Sequence, residues 1–430
     1  MSNFVDEKLI LSKIKIRKRK LTSTYQNLKL TMEKYIMKKS LLALAVVAVA
    51  ATSANAATVY DKDGTSLAVG GRVQAVVYNG KAASDVGDGI AEHDAGLVNS
   101  ARLNIAGSTK INDSVSVFAF SEWNMADGNK SATGDNINTR EQYVGADYGD
   151  FGKILGGKTY DAANAVLAAT DVFEDFGARL QSSINGDRRT GMFRYVYDNN
   201  GIFGSVSYQT AADESSVQGD KVDVEGGFAA AAGYTFDNVV FGPLSFKAGY
   251  SYIKGQNDFA KTIFANLDNG DIYTNSFDTY KAISASIAWG STDNGLYIGA
   301  LYNTQRIKQR LNNITYLEEG KKPNNEFYNT NSSLADKKKG YELVVGYTFD
   351  NGIGAFTGYN FVDFKSKIGS FNSNSEIYRR VPVYVNYAIN DNFNIWGEAE
   401  FDANSTTEKD HKAQYGETGT MLSAGARYTF

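Results

Sequence analysis

Residues Ser100–Gly107, SARLNIAG, put Ala101, Leu103, Ile105 and Gly107 on one side of an extended chain and Ser100, Arg102, Asn104 and Ala106 on the other. Side chains of a strand point alternately to its two faces, so this is a strand with one apolar and one polar face. Met421–Phe430 repeats the pattern: Leu422, Ala424, Ala426, Tyr428 and Phe430 share a face opposite Ser423, Arg427 and Thr429. Segments of this kind recur near 66–79, 98–109, 114–125, 138–148, 151–159, 188–198, 202–210, 225–237, 243–254, 279–290, 294–306, 340–349, 353–365, 376–389, 392–402 and 420–430. That makes roughly sixteen strands, an even number, of lengths that span a bilayer when tilted.

The connections alternate in kind. Short turns built from Asn, Asp and Gly lie at Asn112-Asp113, Tyr148–Asp150, Asp198–Gly201, Asp293–Gly295, Asp350–Gly352 and Asn390-Asp391. These residues tolerate the positive φ of tight hairpins. Between them fall long polar connections such as Gly80–Leu97, Gly255–Asp278 and Lys308–Lys339. A β-sandwich has no reason to collect its long loops at one end, whereas a closed membrane barrel does so. The expected fold is therefore all-β, a transmembrane antiparallel β-barrel of about sixteen strands. The 42 Gly and 27 Tyr against 3 Pro suit it. No apolar run reaches the ~18 residues of a membrane-crossing helix. Aromatics near the short turns (Tyr234, Phe236, Phe241, Phe246, Tyr347, Phe349, Phe393 and Trp396) are expected in an interfacial girdle. Pro382 lacks an amide donor and is expected at a strand start or a bulge.

Tyr160–Asp187, YDAANAVLAATDVFEDFGARLQSSINGD, breaks the alternation. A long connection without structure of its own is usually functional. Its middle, Asp171–Gly177, holds three carboxylates among aromatics, and it is expected to fold into the barrel and narrow a pore.

An internal leader is complete. Met37-Lys38-Lys39-Ser40 is a basic start, Leu41–Ala51 a short apolar core, and Ala54-Asn55-Ala56 an A-x-A cleavage site. Residues 37–56 are thus expected to be a signal peptide and 57–430 the exported barrel. Residues 1–36, with the basic run Arg17–Lys20, are expected to be an untranslated extension ahead of the true start, Met37. Residues 1–56 hold 11 Lys and Arg and 3 Asp and Glu, leaving 33 basic and 45 acidic residues in 57–430, a net charge of −12. Such a balance argues against nucleic acid as a partner. With no Cys in an exported chain, no disulfide framework holds the fold, so a large sheet must.

Chemistry has little to work with. Gly152–Thr159, GKILGGKT, matches the phosphate-loop pattern G-x-x-x-x-G-K-T, but that loop binds phosphate only between a parallel strand and a helix. Here a hairpin turn at Tyr148–Asp150 precedes it, so its neighbours are expected to be antiparallel. Hydrolysis needs a nucleophile, a base and an orienter in reach, and only His93 and His411 are available, both in long connections. Zinc lacks ligands, and the acidic run Asp85–Asp94 reads as solvated charge. No enzyme activity, metal site or cofactor is expected.

Val59–Gly64 after the cleavage site, Ala101-Arg102-Leu103, Glu122-Trp123, Asn138-Thr139-Arg140, Val144-Gly145 and the terminal Tyr428-Thr429-Phe430 resemble, in that order, the general trimeric porins of enteric-type Gram-negative outer membranes. The likeness covers essentially all of 57–430. It implies a homotrimer of sixteen-stranded barrels in the outer membrane, passing small hydrophilic solutes passively, with the third long loop folded inside. A substrate-specific sugar channel, or an adhesin or receptor barrel, are the alternatives. Implied partners are outer-membrane lipid and lipopolysaccharide, the outer-membrane insertion machinery and the permeating solutes. In the family that loop carries a P-E-F-G-G motif; here Glu174–Ala178, EDFGA, stands in its place, with Glu for Pro and Ala for the second Gly. The family's basic cluster maps onto Arg72, Arg102, Arg140 and either Arg188 or Arg189. Period-two reading puts Arg72, Arg102 and Arg140 on the polar side of their strands. Asp171, Glu174 and Asp175, with Glu122, are expected to face these arginines across the lumen; the net charge of −12 in 57–430 and the acidic loops at the mouth, not this cluster, are expected to favour cations mildly. Tyr428 and Phe430 resemble the family's terminal assembly signal.

Overall fold

The computed structural model describes residues 56–79, 95–125, 137–177, 188–217, 220–256, 262–266, 271–316, 332–368, 371–372, 376–404 and 419–430. The leader, His93, His411, Asp85–Asp94 and 178–187 lie outside the described residues. The strands Thr65–Tyr78, Gly96–Lys110, Ser116–Met125, Asn138–Asp147, Lys153–Thr159, Arg189–Asn199, Ile202–Gln209 and Asp220–Val239 pair antiparallel, each with the next. Gly242–Gly255, Asp271–Gly290, Gly295–Tyr316, Ser332–Thr348, Ile353–Ile368, Glu376–Ala388, Phe393–Asp402 and Met421–Thr429 continue the ladder. The last pairs with the first, Ala426 opposite Ala75, and the ring of 16 strands closes. Each segment read from alternation is a member of that ring.

Four further strands fall outside the alternating pattern. Ala57–Lys62 turns back on the first ring strand, Ala57 opposite Val69, just beyond the point where Phe430 exchanges two backbone hydrogen bonds with Gly71 (2.8 and 2.9 Å). The start of the barrel thus covers the edge that the last strand is too short to fill. Ala212–Val217, Thr262–Asn266 and Phe371–Asn372 lengthen hairpins at the other end. Asp271–Gly290, Gly295–Tyr316 and Ser332–Thr348 also run to 20, 22 and 17 residues, well into the connections read as long and polar. Beyond the membrane a ladder needs only backbone partners, so pairing continues where alternation stops.

The wall is inside-out relative to a water-soluble protein. Outward side chains are apolar and bare, Val144 at 64 % and Phe193 at 59 % exposed, while Glu342, Glu400 and Asn303 on the inner side are fully buried. That is the outward apolar band of a membrane barrel. Tyr234, Phe236, Phe241, Phe246, Tyr347 and Phe349 stand outward as expected of a girdle. Trp396 does not: it is 5 % exposed and turned inward, because Ile395 takes the outward position beside it. Pro382 sits neither at a strand start nor at a bulge. Thr357 faces Val383 and Asn360 faces Arg380 in one unbroken register across it. The ladder simply lapses between those pairs, and the Pro382 carbonyl accepts a hydrogen bond from Thr357 Oγ1 (2.9 Å).

Candidate functional site

The segment after Thr159 lies inside the barrel and follows its wall. Asp161 begins it as a helix N-cap: its Oδ1 accepts from the Ala163 amide (3.0 Å) and a 3-10 helix runs over Ala162–Ala169. Its other oxygen accepts from Arg189 Nη2 (2.8 Å) and Ser251 Oγ (2.6 Å), both side chains of the inner wall. The Ala162 amide donates to Ser207 Oγ (2.9 Å). Ala162, Ala163, Val166, Leu167 and Ala169 are buried against the wall. Small residues let the helix lie flat, and the wall answers with glycines. A Cβ on Gly249 would stand 3.0 Å from Val166 Cγ2, and one on Gly299 would strike the Ala169 carbonyl oxygen. That oxygen accepts from Tyr297 Oη (2.8 Å).

From there the segment meets the ring strands in order. Thr170 Oγ1 donates to Glu342 Oε2 (2.6 Å), and the Phe173 ring lies edge-on to Tyr384, 6.5 Å between centroids. The tip is then pinned by a wall carboxylate. Glu398 Oε1 accepts from the Phe176 amide (2.6 Å), and its Oε2 from the amides of Glu174 and Asp175 (2.9 Å each). Asp175 accepts from Tyr78 Oη (2.7 Å), Trp396 Nε1 (2.8 Å) and Ser423 Oγ (2.6 Å). Glu174 forms a two-pronged ion pair with Arg427, one prong at 2.8 Å, while Arg427 also donates to Gln74. A bidentate arginine–carboxylate pair fixes orientation as well as charge. The arc thus runs from the sixth ring strand round to the first.

The arginines form a row on the wall beside the tip. Arg72 and Arg102 are direct cross-strand partners, and Arg102 donates to Asn124 Oδ1 (3.1 Å). Arg72 feels the charges of Arg427 and Arg140, and Arg102 those of Arg140 and Arg188. Arg140 reaches the row by an unexpected route. Glu141 and Tyr143 face inward, so strict alternation would turn Arg140 outward; a bulge opposite Glu122 and Trp123 leaves it unpaired in the ladder and re-aims it. Its Nε then lies 2.6 Å from Glu122 Oε1. Arg188 pairs with Glu141 at 3.6 Å and covers the Tyr160 ring at 4.2 Å.

One expectation needs correcting and one open alternative closes. Glu122 is not across the lumen from the arginines but among them, because it faces Glu141 on the adjacent strand and holds Arg140. Arg189 is a buried anchor, 4 % exposed between Asp161 and Gln209, so of the two neighbours Arg188 is the one that joins the row. Asp171 is exposed on the segment, whereas Glu174 and Asp175 are held by the wall. Asp161, Glu398 and Arg427 were missed. Asp161 carried a signal, a capping residue before an alanine-rich run; Glu398 carried none, since its partners are backbone amides. Tyr428 and Phe430 both face outward, their rings 6.5 Å apart.

The G-x-x-x-x-G-K-T match has no phosphate cradle. Lys153–Thr159 pairs antiparallel on both sides, Lys158 Nζ donates to the Thr139 carbonyl (2.6 Å), and Thr159 Oγ1 donates to Glu141 (2.9 Å). Among the described residues no three His, Cys, Asp or Glu side chains converge as metal ligands.

Known proteins share this fold. A family model described as Gram-negative porin matches residues 43–430. Porin-like protein L of Photobacterium profundum is 28% identical over 403 residues, covering 92% of this chain and 100% of that one. Among solved structures, OmpF of Salmonella typhi in complex with daunomycin superposes with a TM-score of 0.61 at 20% identity, covering 87% of this chain and 100% of its own. An anion-selective porin from Comamonas acidovorans shares the fold with a TM-score of 0.54 at 15% identity, over 85% of this chain and 100% of its own. With a closed sixteen-stranded barrel, an apolar outer band and a segment laid along the lumen, the chain belongs to the Gram-negative porins and is an outer-membrane channel protein.

Proposed function

We propose that the barrel is a general diffusion channel for ions and small hydrophilic solutes, narrowed by residues 160–177 and mildly selective for cations. The observation that carries this reading is the arc itself: it is tied to the lumen wall from Asp161 to Phe176 and ends beside the row Arg72, Arg102, Arg140 and Arg188. Charge rings at close quarters set selectivity. Opposed charges also order water and align dipolar solutes. Within the site the carboxylates and arginines largely pair off, as Glu122 with Arg140, Glu141 with Arg188 and Glu174 with Arg427, so the site chooses no sign. The sign comes from the net charge of −12 in 57–430, which concentrates cations at the mouth. Salt should weaken that effect first, since the Debye length is about 8–10 Å at physiological strength.

Reversal potential in a salt gradient across a planar bilayer tests the sign. Cation preference in the parent, reduced in Asp171→Asn, is expected; anion preference in the parent would refute it.

The same reading takes the working unit as a homotrimer. Gly71, Ala75, Ala101, Ala119, Ala424 and Ala426 lie on the outward side of neighbouring strands, and such small residues allow flat barrel-to-barrel contact. Residues 37–56 direct export and are removed, and the Tyr428–Phe430 end guides assembly. Deleting Phe430 is expected to leave unassembled protein in the periplasm, against a loss of about 1.5–3 kcal/mol if it only packs.

A further inference from the structure

Adjoining ring strands follow one another in sequence everywhere but at one place. Where Met421–Thr429 meets Thr65–Tyr78, Gln74 and Arg427 stand opposite each other although 353 residues apart. Bringing such distant residues together costs more chain entropy than closing a hairpin. The seam runs from Arg72 opposite Thr429 to Tyr78 opposite Ser423, with backbone hydrogen bonds from Phe430 and Asn79 at its ends. Residues 65–69 of the first ring strand pair with Ala57–Lys62 instead.

On its outer side the seam has little side-chain grip. Beyond the Val73–Tyr428 pair, Ala75 faces Ala426 and Val77 faces Ala424. Cross-strand side-chain pairs stabilise a sheet beyond its backbone, and alanines contribute least.

Inside, the tip of the lumen segment supplies the grip. Asp175 accepts from Tyr78 Oη (2.7 Å) at one oxygen and from Ser423 Oγ (2.6 Å) at the other. Those two residues are direct opposites across the seam. Glu174 holds Arg427 in its two-pronged pair, and Arg427 Nε and Nη2 donate to Gln74 Oε1 (3.0 and 2.9 Å). Gln74 is again the direct opposite of Arg427. Two successive carboxylates thus each sit on one cross-seam pair, and the Phe176 ring lies edge-on to Tyr78, 6.4 Å between centroids. The start of the segment is anchored otherwise: Asp161 reaches Arg189 and Ser251, on the sixth and ninth ring strands, which do not pair with each other.

Tyr78 and Ser423 come within reach of one carboxylate only when their strands are paired. The complete seat of the tip therefore exists only in the closed ring. Such coupling is reciprocal, so whatever closure gives to seating, seating gives to closure. We propose that the tip is the clasp of the barrel's seam. Glu174 and Asp175 hold the first and last ring strands together from inside, and narrowing the pore and closing the ring are one cooperative event. The clasp acts whatever solutes the channel passes and whichever ion it prefers.

The test is hydrogen–deuterium exchange, read by mass spectrometry, of the folded full barrel in lipid vesicles. Peptides from 72–79 and 421–429 report the seam, and one from 228–236, in the strand Asp220–Val239, is the reference. Tyr78→Phe and Ser423→Ala each remove one hydroxyl, from opposite banks of the seam. Each is expected to speed exchange in the strand across from it about fivefold, the worth of one hydrogen bond. Asp175→Ala should speed both seam peptides roughly tenfold or more, with the reference unchanged. Tyr297→Phe loosens the segment at the eleventh ring strand and should leave the seam at the parental rate. Parental seam exchange in both hydroxyl variants, or a rise of equal size in the reference, would overturn the proposal. So would a Tyr297→Phe seam as fast as that of Ser423→Ala, since any lost anchor would then loosen it. The two hydroxyl variants keep every carboxylate of the site, so they decide even if Asp175→Ala does not fold.

Discussion

The two ends of the lumen segment are held by the same chemistry with the roles exchanged. At the start, the carboxylate belongs to the segment: Asp161 reaches out to Arg189 and Ser251 on the wall. At the tip, the carboxylate belongs to the wall, and Glu398 gathers three backbone amides of the segment. The first end depends on side chains that a sequence displays. The second works for nearly any residues at 174–176, because amides are common to all. Identity at the tip is thus left to the outward task, Glu174 on Arg427 and Asp175 on Tyr78, Trp396 and Ser423.

If the ends differ in this way, they should fail differently. Asp161→Ala takes the carboxylate from the buried guanidinium of Arg189, which keeps Gln209, as well as uncapping the helix, and breaking such a pair costs about 3–5 kcal/mol. Unfolding in urea from lipid vesicles should show that loss. Glu398→Ala leaves three amides without an acceptor, about 3 kcal/mol at roughly 1 kcal/mol each. The tip can turn to water and recover part of it, so the clearer sign should be larger, noisier single-channel conductance. A Glu398→Ala channel indistinguishable from the parent would break the comparison.

The stretch between the ends is held by shape. Gly299→Ala puts a methyl into the Ala169 carbonyl and should cost about 2 kcal/mol while shifting the helix off the wall. Tyr297→Phe removes only the hydrogen bond to that carbonyl, about 1 kcal/mol. Both are read in the same urea experiment, and a Tyr297→Phe loss exceeding that of Gly299→Ala would show that the carbonyl bond, not the close approach, seats the helix.

Alternation along Ser100–Gly107 and its repeats reveals all sixteen ring strands because every one must satisfy lipid outside and water inside. It does not reveal Ala57–Lys62 or the hairpin extensions, which are not under that double demand. The lumen was half legible. Period two places Arg72 and Arg102 correctly; it puts Arg140 on the polar side too, but that residue faces inward only through a bulge, and no periodicity announces a bulge. Trp396 looked like a girdle residue because it is aromatic and near a turn; its parity in the strand, one off from Ile395, carries the true answer. Arg189 and Arg188 are one residue apart and have opposite fates, one a buried anchor and one a neighbour of Arg102.

The central claim is that the segment from Asp161 to Phe176 lines the path of permeating ions. The chain has no cysteine, so Asp171→Cys gives one reactive thiol on an exposed position of that segment. Single-channel current is recorded while a cationic, then in a separate run an anionic, methanethiosulfonate reagent is added. Stepwise loss of conductance with both, and reversal potentials moving in opposite directions, are the expected result. Unchanged conductance and potential with a thiol shown to be fully modified would contradict the account.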